Sequence, residues 1–133
     1  VLGQKPYEAS ETFETSASTS KPRFTRFNER RKAIKEMQTC AASYSWLSNA
    51  AKMNTYLMRH AWKKYTAPML IIQAEQDDYV WTSQIQKFAD KIKKHGIAEC
   101  EYLYLSETKH ETYSSNDETM DKYINKILAF LQK

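Results

Sequence analysis

An apolar run that ends in acids constrains the fold of this chain more than any other feature. The residues from Met69 to Ile72 are all large and apolar, and Glu75, Asp77 and Asp78 follow closely. A run without polar alternation is typical of a strand in a parallel sheet, where both faces of the strand are buried. A carboxylate after such a strand either belongs to a hydrated loop or is placed there for chemistry.

The residues after this run repeat the alternation of strand and helix. Periodicity and turn residues predict strands at 69–73 and 100–105, helices at 83–95 and 117–131, and a polar loop at 106–116. Ser83 and Gln86 fit a capping box at the first helix, Gly96 fits its end, and Asn116 or Ser115 can cap the second. We expect a parallel β-α-β-α unit with a right-handed crossover. Two parallel strands are too few for a stable sheet, so residues 67–133 should belong to a larger α/β domain.

The first half of the chain predicts helices and no strands. Residues 1–27 are rich in Ser and Thr and predict a loop or mobile arm. Residues 28–66 contain neither Pro nor Gly and predict two or three short helices, the first capped by Asn28. The segment 46–64 predicts an amphipathic helix packed in the core, with a membrane-binding helix as the alternative.

Composition excludes several classes of protein. The only glycines in the 133 residues are Gly3 and Gly96, so the sequence contains no Gly-rich phosphate loop and no G-x-S-x-G nucleophile elbow. Cys40 and Cys100 lie far apart and form neither a metal-binding spacing nor a disulfide framework, which favours a reducing, cytoplasmic location. No apolar run approaches the roughly 18 residues of a transmembrane helix. A net charge of +4 is compatible with an anionic membrane surface or nucleic acid and specifies neither.

Two candidate catalytic side chains, Asp77 and His110, each follow one of the predicted strands. The carboxyl ends of neighbouring parallel strands lie at one edge of the sheet, where ligands bind. A carboxylate there can accept the Nδ1 proton of the imidazole, so that Nε2 can take a proton from a nucleophile. Asp78 is a rival for the acid, and a merely hydrated loop histidine is the alternative to the pair.

These segments resemble the α/β-hydrolases, in particular the bacterial lysophospholipases and monoacylglycerol lipases. The stretch "APMLIIQAEQDDYV" is similar to their acid loop, and "LSETKHETYSSND" is similar to their histidine loop. The stretches "RFTRFNERRKAIKEMQ" and "ASYSWLSNA" resemble their helical cap. The resemblance implies an α/β fold, namely the C-terminal part of an α/β-hydrolase preceded by a cap region. It also implies that Asp77 and His110 are the acid and base of a Ser-Asp-His triad. Glu107 departs from the pattern, because the family usually has glycine three residues before the histidine.

The function implied by this resemblance is hydrolysis of a carboxylic ester in a lysophospholipid or monoacylglycerol. Neither Ser45 nor Ser48 has the context of a nucleophile elbow, so the serine would lie in an N-terminal half outside this sequence, and the fragment alone would be inactive. The expected partners are the monoacyl lipid, that N-terminal half and a peripheral contact with a membrane. No metal, cofactor or nucleic acid is implied.

Two other functions remain open at this point. An α/β-hydrolase of different chemistry, such as a thioesterase or a peroxidase, would share the Asp and the His. A non-catalytic basic domain could instead bind nucleic acid through phosphate contacts that weaken steeply with salt. Its basic cluster would comprise Arg23, Arg26, Arg30, Arg31, Lys32, Lys63 and Lys64.

Overall fold

The computed structural model describes residues 7–39, 41–96 and 98–133. Its elements, in chain order, are α1 (Lys21–Ala33), α2 (Tyr44–Arg59), β1 (Met69–Gln76), α3 (Thr82–His95), β2 (Cys100–Lys109) and α4 (Asp117–Leu131). Short 3₁₀ turns lie at Lys35–Met37, Ala61–Lys64 and Thr112–Ser114. The predicted α/β class and the order helices, strand, helix, strand, helix are confirmed.

The two strands pair in parallel, with Met69 opposite Cys100 and Ala74 opposite Leu105. Both strands run further than the apolar patterns predicted, because their last residues are polar. The loop predicted at 106–116 is therefore partly strand, since β2 continues to Lys109. The longer strands bring the polar residues after the apolar runs to the same edge of the sheet.

The helices α3 and α4 lie on opposite faces of this sheet. The ammonium group of Lys93 in α3 lies 5.7 Å from the ring centroid of Tyr102 in β2. The next residue back, Glu101, forms an ion pair with Lys126 of α4. Because successive residues of a strand point to opposite faces, these two contacts place one helix on each face.

The hydrophobic core of the described residues is small. Its buried apolar side chains are Trp62, Ala74, Ala89, Ile92 and Leu105. The run 69–72, predicted to be buried on both faces, is only half-buried. The reason is that, within the part of the chain described, the sheet has two strands, so that β1 has a hydrogen-bonded neighbour on one side only. The expectation that residues 67–133 belong to a larger α/β domain stays a prediction.

Two helix starts differ from the prediction. Asn28 lies inside α1, whose N-cap is Ser20 and whose first turn contains Pro22. Proline suits that position because its missing N–H would have no partner there. Helix α1 therefore crosses the boundary predicted between residues 27 and 28. Ser83 lies inside α3, whose N-cap is Trp81, and forms no capping box.

Two other predictions about helix ends are confirmed. Gly96 ends α3 in the left-handed conformation with φ of 58°. Asn116 caps α4, because its side-chain oxygen accepts the backbone N–H of Thr119 at 2.9 Å. A glycine and an asparagine fulfil these roles with few requirements from the rest of the fold.

The Ser/Thr-rich residues 14–20, which we call the serine segment, are packed against the protein and do not form a mobile arm. Ser18 is 1% exposed, and its hydroxyl donates to the carbonyl of Ser114 at 2.6 Å. The backbone N–H of Glu111 donates to the carbonyl of Ala17 at 3.1 Å. The segment is irregular, as predicted, but these hydrogen bonds hold it on residues 109–114. It therefore braces the stretch of chain that contains His110.

Replacement of Ser18 by alanine should weaken this packing measurably. The buried hydroxyl also lies 2.8 Å from the hydroxyl of Ser114, so its loss takes a hydrogen-bond partner from that buried side chain. We expect the free energy of unfolding to fall by about 1–3 kcal/mol, measured by urea denaturation of the intact protein. The matched control is Thr12→Ala, an exposed position, with a change of less than about 0.5 kcal/mol. Equal effects of the two substitutions would show that Ser18 does not hold the segment.

Candidate active site

The three acids after the apolar run occupy three different environments at the end of β1. Glu75 bonds to the backbone of β2, Asp77 is half-buried against a histidine, and Asp78 is exposed. The three carboxylates that follow the apolar run therefore need separate explanations. One of them is placed as a catalytic acid would be.

Asp77 and His110 form a hydrogen bond at the carboxyl edge of the sheet. The Nδ1 atom of His110 lies 2.8 Å from Oδ2 and 3.0 Å from Oδ1 of Asp77. The carboxylate can accept only, so a neutral imidazole in this geometry carries its proton on Nδ1. The Nε2 atom then holds a lone pair that can accept a proton. The predicted contact between these two residues is confirmed, and their catalytic role stays a prediction.

The loop after β1 keeps the carboxylate of Asp77 ionised. Its Oδ1 atom accepts the backbone N–H groups of Tyr79 and Val80, each at 2.9 Å. Burial alone would raise the pKa of Asp77, since the side chain is only 7% exposed. The hydrogen bonds from His110 and from the two backbone amides outweigh burial, so the pKa of Asp77 lies below its ordinary value. The acid therefore remains charged and fixed in direction at neutral pH.

The rival acid Asp78 does not contact His110. It is exposed, and the carboxylate within hydrogen-bonding distance of the imidazole is that of Asp77. The reason is the turn that begins at Asp77. The carboxylate of Asp77 accepts the backbone N–H groups of Tyr79 and Val80 through Oδ1 and directs Oδ2 to His110. The geometry assigns the partner of His110 to Asp77.

Three residues of the site have contacts that were not predicted from the sequence. The ring of Tyr79 lies against the imidazole of His110, with centroids 5.0 Å apart and planes inclined by 43°. Glu75 accepts the backbone N–H of Glu107 at 2.7 Å. Glu107 has a φ of 53°, in the left-handed region that costs a residue with a Cβ about 1–2 kcal/mol. The signal for it was present, because Glu107 stands where the related family has glycine.

A small cleft opens beside the imidazole, with a volume of about 160 Å³. Its walls come from the loop after β1, the end of β2 and the serine segment. The lining residues are Thr15, Ser16, Ala17, Gln76, Asp78, Tyr79, Lys109 and His110. The serine segment thus forms one wall of the cleft beside His110.

Across residues 7–39, 41–96 and 98–133, no group of three or more His, Cys, Asp or Glu side chains could hold a metal ion. The expectation that the protein works without a cofactor stays a prediction. The described residues offer an acid and a base already paired with each other.

An acid after one parallel strand and a histidine after the next, joined by a hydrogen bond, is the arrangement found in the α/β-hydrolases. The fold and the Asp77–His110 pair define that class. Residues 12–133 match the family model of the prolyl oligopeptidase family, so the chain belongs to this family of α/β-hydrolases. No curated protein and no solved structure gives a significant match. The family match supports a serine hydrolase fold and carries no information about the lysophospholipase branch.

Proposed function

We propose that the protein is a serine hydrolase of carboxylic esters in which Asp77 orients His110 and His110 is the general base. The observation that carries the proposal is the 2.8 Å hydrogen bond between Nδ1 of His110 and Asp77 at the carboxyl edge of the sheet. The nucleophilic serine would come from a polypeptide segment outside these 133 residues. This assignment rests on the absence of an elbow motif from the sequence and on the open edge of β1.

The chemistry follows from the orientation of the imidazole. The Nε2 atom of His110 takes the hydroxyl proton of the serine while the serine oxygen attacks the ester carbonyl. Asp77 stabilises the imidazolium that forms and does not itself take the proton. The imidazolium then gives its proton to the leaving alcohol, which leaves an acyl-serine that a water molecule hydrolyses by the same steps.

For the substrate we propose a monoacyl lipid, because the site adjoins unfilled apolar surface. An apolar cleft of about 190 Å³ lies between α2, α3 and β1. Its apolar lining residues are Leu57, Met58, Ile71, Val80, Ile85 and Phe88. The backbone N–H of Val80 bonds to Asp77, so the cleft begins at the acid loop itself. An acyl chain placed there gains about 0.8 kcal/mol for each buried methylene group.

The exposed side chains of α2 support the same substrate. The helix contributes no buried residue, which differs from the predicted core helix. The exposed large apolar side chains of α2 are Tyr44, Trp46, Leu47, Met53, Tyr56 and Leu57. Exposed apolar surface of this extent usually marks a binding site. An acyl chain bound against a cap region is a ligand that suits an ester hydrolase.

A second candidate function is hydrolysis of a peptide bond. It is favoured by the match to the prolyl oligopeptidase family over residues 12–133. The Asp–His pair serves an amide as well as an ester, since in both cases the base activates a serine and then protonates the leaving group. The substrate therefore has to be decided by measurement. A thioesterase would show the same pair and is tested by the same assay.

The basic interaction domain is the weaker proposal, because the structure uses part of its cluster internally. Arg23 forms an ion pair with Asp117 at 2.7 Å and donates to the carbonyl of Ser115 at 2.6 Å. Arg31 forms an ion pair with Glu11 at 2.8 Å. Two of the arginines that were expected to contact phosphates thus bind the protein itself.

A cytoplasmic location with peripheral membrane contact completes the proposal. Within the described parts of the chain, no helix is both long and apolar enough to cross a membrane. A lipid substrate nevertheless requires contact with a membrane surface, and the exposed apolar side chains of α2 are suited to it.

The dependence of rate on acyl length tests the substrate proposal. We expect kcat/KM for p-nitrophenyl esters to rise up to about fourfold for each added methylene until the cleft is filled. Leu57→Ser should reduce this dependence. The matched control, Leu131→Ser on α4, should leave it unchanged, because Leu131 is 73% exposed and lies outside the cleft. A flat dependence, or faster cleavage of a prolyl peptide than of any ester, would favour the second candidate.

A further inference from the structure

The pairing register of β1 and β2 shifts just before the site. From Ala74 to Gln76, β1 advances by two residues, whereas from Leu105 to Lys109 its partner advances by four. The strand β2 therefore contains two extra residues in a bulge. Glu107 lies in this bulge and has the positive φ of 53°. A bulge of this kind re-aims the side chains that follow it, and His110 follows it directly.

The size of the bulge decides where His110 lies. Each residue of a strand advances the chain by about 3.3 Å. If the two extra residues were straightened into regular strand, His110 would lie about 7 Å further along the direction of β2, beyond reach of the Asp77 carboxylate. The short contact between His110 and Asp77 thus depends on the bulge being kept.

Glu75 is the side chain that holds the bulge. Its Oε2 atom accepts the backbone N–H of Glu107 at 2.7 Å. This amide and the hydroxyl of Tyr104 lower the pKa of Glu75, so the carboxylate is charged at neutral pH. A hydrogen bond to a charged acceptor is shorter and stronger than one between neutral groups. Glu75 lies at the end of β1 and Asp77 directly follows the strand, so the end of β1 and the residue after it carry both the anchor of the bulge and the acid.

We propose that Glu75 is a positioning residue for His110. Its carboxylate stabilises the left-handed conformation of Glu107 and thereby keeps the imidazole in register with Asp77. This role rests on the proposed function, because a general base has to be kept in a fixed position and the proposed function makes His110 that base. Glycine at position 107 adopts this conformation without a Cβ penalty, so Glu107→Gly should make Glu75 dispensable.

The experiment uses the intact protein with ¹⁵N-labelled histidine and follows the Nδ1–H resonance of His110 by NMR. Glu75→Ala should broaden or shift this resonance and reduce kcat by about tenfold to a hundredfold, because a displacement of about 1 Å is enough for such a loss. The KM value should stay within about twofold, since Glu75 does not touch the substrate. The double variant Glu75→Ala/Glu107→Gly should recover the resonance and most of kcat. The matched control is Glu99→Ala, an exposed acid that precedes β2 at the opposite end of the sheet, with no effect on the resonance.

A conservative variant covers the case in which Glu75→Ala does not fold. Glu75→Gln keeps an acceptor but removes the charge, so the amide proton of Glu107 should move upfield while the His110 resonance is retained. An unshifted Glu107 amide in this variant would overturn the proposal. Failure of Glu107→Gly to rescue a folded Glu75→Ala protein would overturn it as well. If the resonances respond as expected but no acyl substrate is hydrolysed, the positioning role stands and the proposed hydrolase function fails.

Discussion

Substitution of His110 by alanine should abolish ester hydrolysis by the intact protein. We expect kcat to fall by a factor on the order of 10⁴ or more, because the serine loses the base that takes its proton. The two other histidines cannot replace it. His95 is the last residue of α3 and packs on Trp62 with a centroid distance of 4.6 Å, and His60 follows α2. Neither of them lies at the carboxyl edge of the sheet.

Steady-state rates with a short acyl ester measure this effect. Circular dichroism of the variant has to show that the fold is kept, which is expected because His110 is 41% exposed. His60→Ala is the matched control and should retain full activity. A His110 variant with the rate of the wild type would remove the serine-hydrolase proposal, whatever the substrate.

The pairing of Asp77 with His110 could be predicted because it follows from short-range patterns and one topological rule. The apolar run before Asp77 and the helical spacing after it both lie within about 30 residues of chain. Parallel strands joined by a helix bring their carboxyl ends together, so two polar residues after two strands become neighbours. The sequence could not decide between Asp77 and Asp78. That choice depends on the turn in which Asp77 binds the amides of Tyr79 and Val80.

The contacts that hold the site were missed because they join distant parts of the chain without a local pattern. Ser18 and Ser114 are 96 residues apart, and a run of serines by itself is typical of an unpacked arm. The bond from Glu75 to Glu107 likewise spans 32 residues. In both cases a polar side chain forms a hydrogen bond with a backbone group that would be bonded to water in an exposed loop. Composition cannot separate these two outcomes, since the same residues suit both.

The helix α2 differs from its prediction for another reason. Its amphipathic pattern was read as a core face, because burial is the usual purpose of such a face. The described residues supply no surface that buries it, and Trp46 remains 62% exposed. An amphipathic pattern predicts that the apolar face of a helix is covered, but it does not identify the segment, partner or ligand that covers it. Together with the edge of β1 that has no neighbour among the described residues, this leaves apolar surface uncovered next to the acid loop as well as on α4.

Asp77→Asn should be the second most damaging substitution. The asparagine side chain can present its NH₂ group to Nδ1, which stabilises the tautomer whose proton is on Nε2 and leaves no base for the serine. It also removes the charge that stabilises the imidazolium. We expect kcat to fall by a factor on the order of 10³–10⁴, with KM nearly unchanged, because the interaction lost is one that strengthens in the transition state.

Asp78→Asn is the matched control for this substitution, since it makes the same change one residue further along the chain. Asp78 is exposed and does not reach His110, so we expect its rate to stay within about twofold of the wild type. Comparison of the two variants therefore separates the role of the hydrogen bond from the effect of negative charge near the site. Raising the pH should partly restore Asp77→Asn, because deprotonation of the serine by hydroxide replaces the missing base, whereas Asp78→Asn should follow the wild-type pH profile. Equal losses in the two variants would mean that the acids act only through their charge, and Asp77 would then lose its role as the orienting acid.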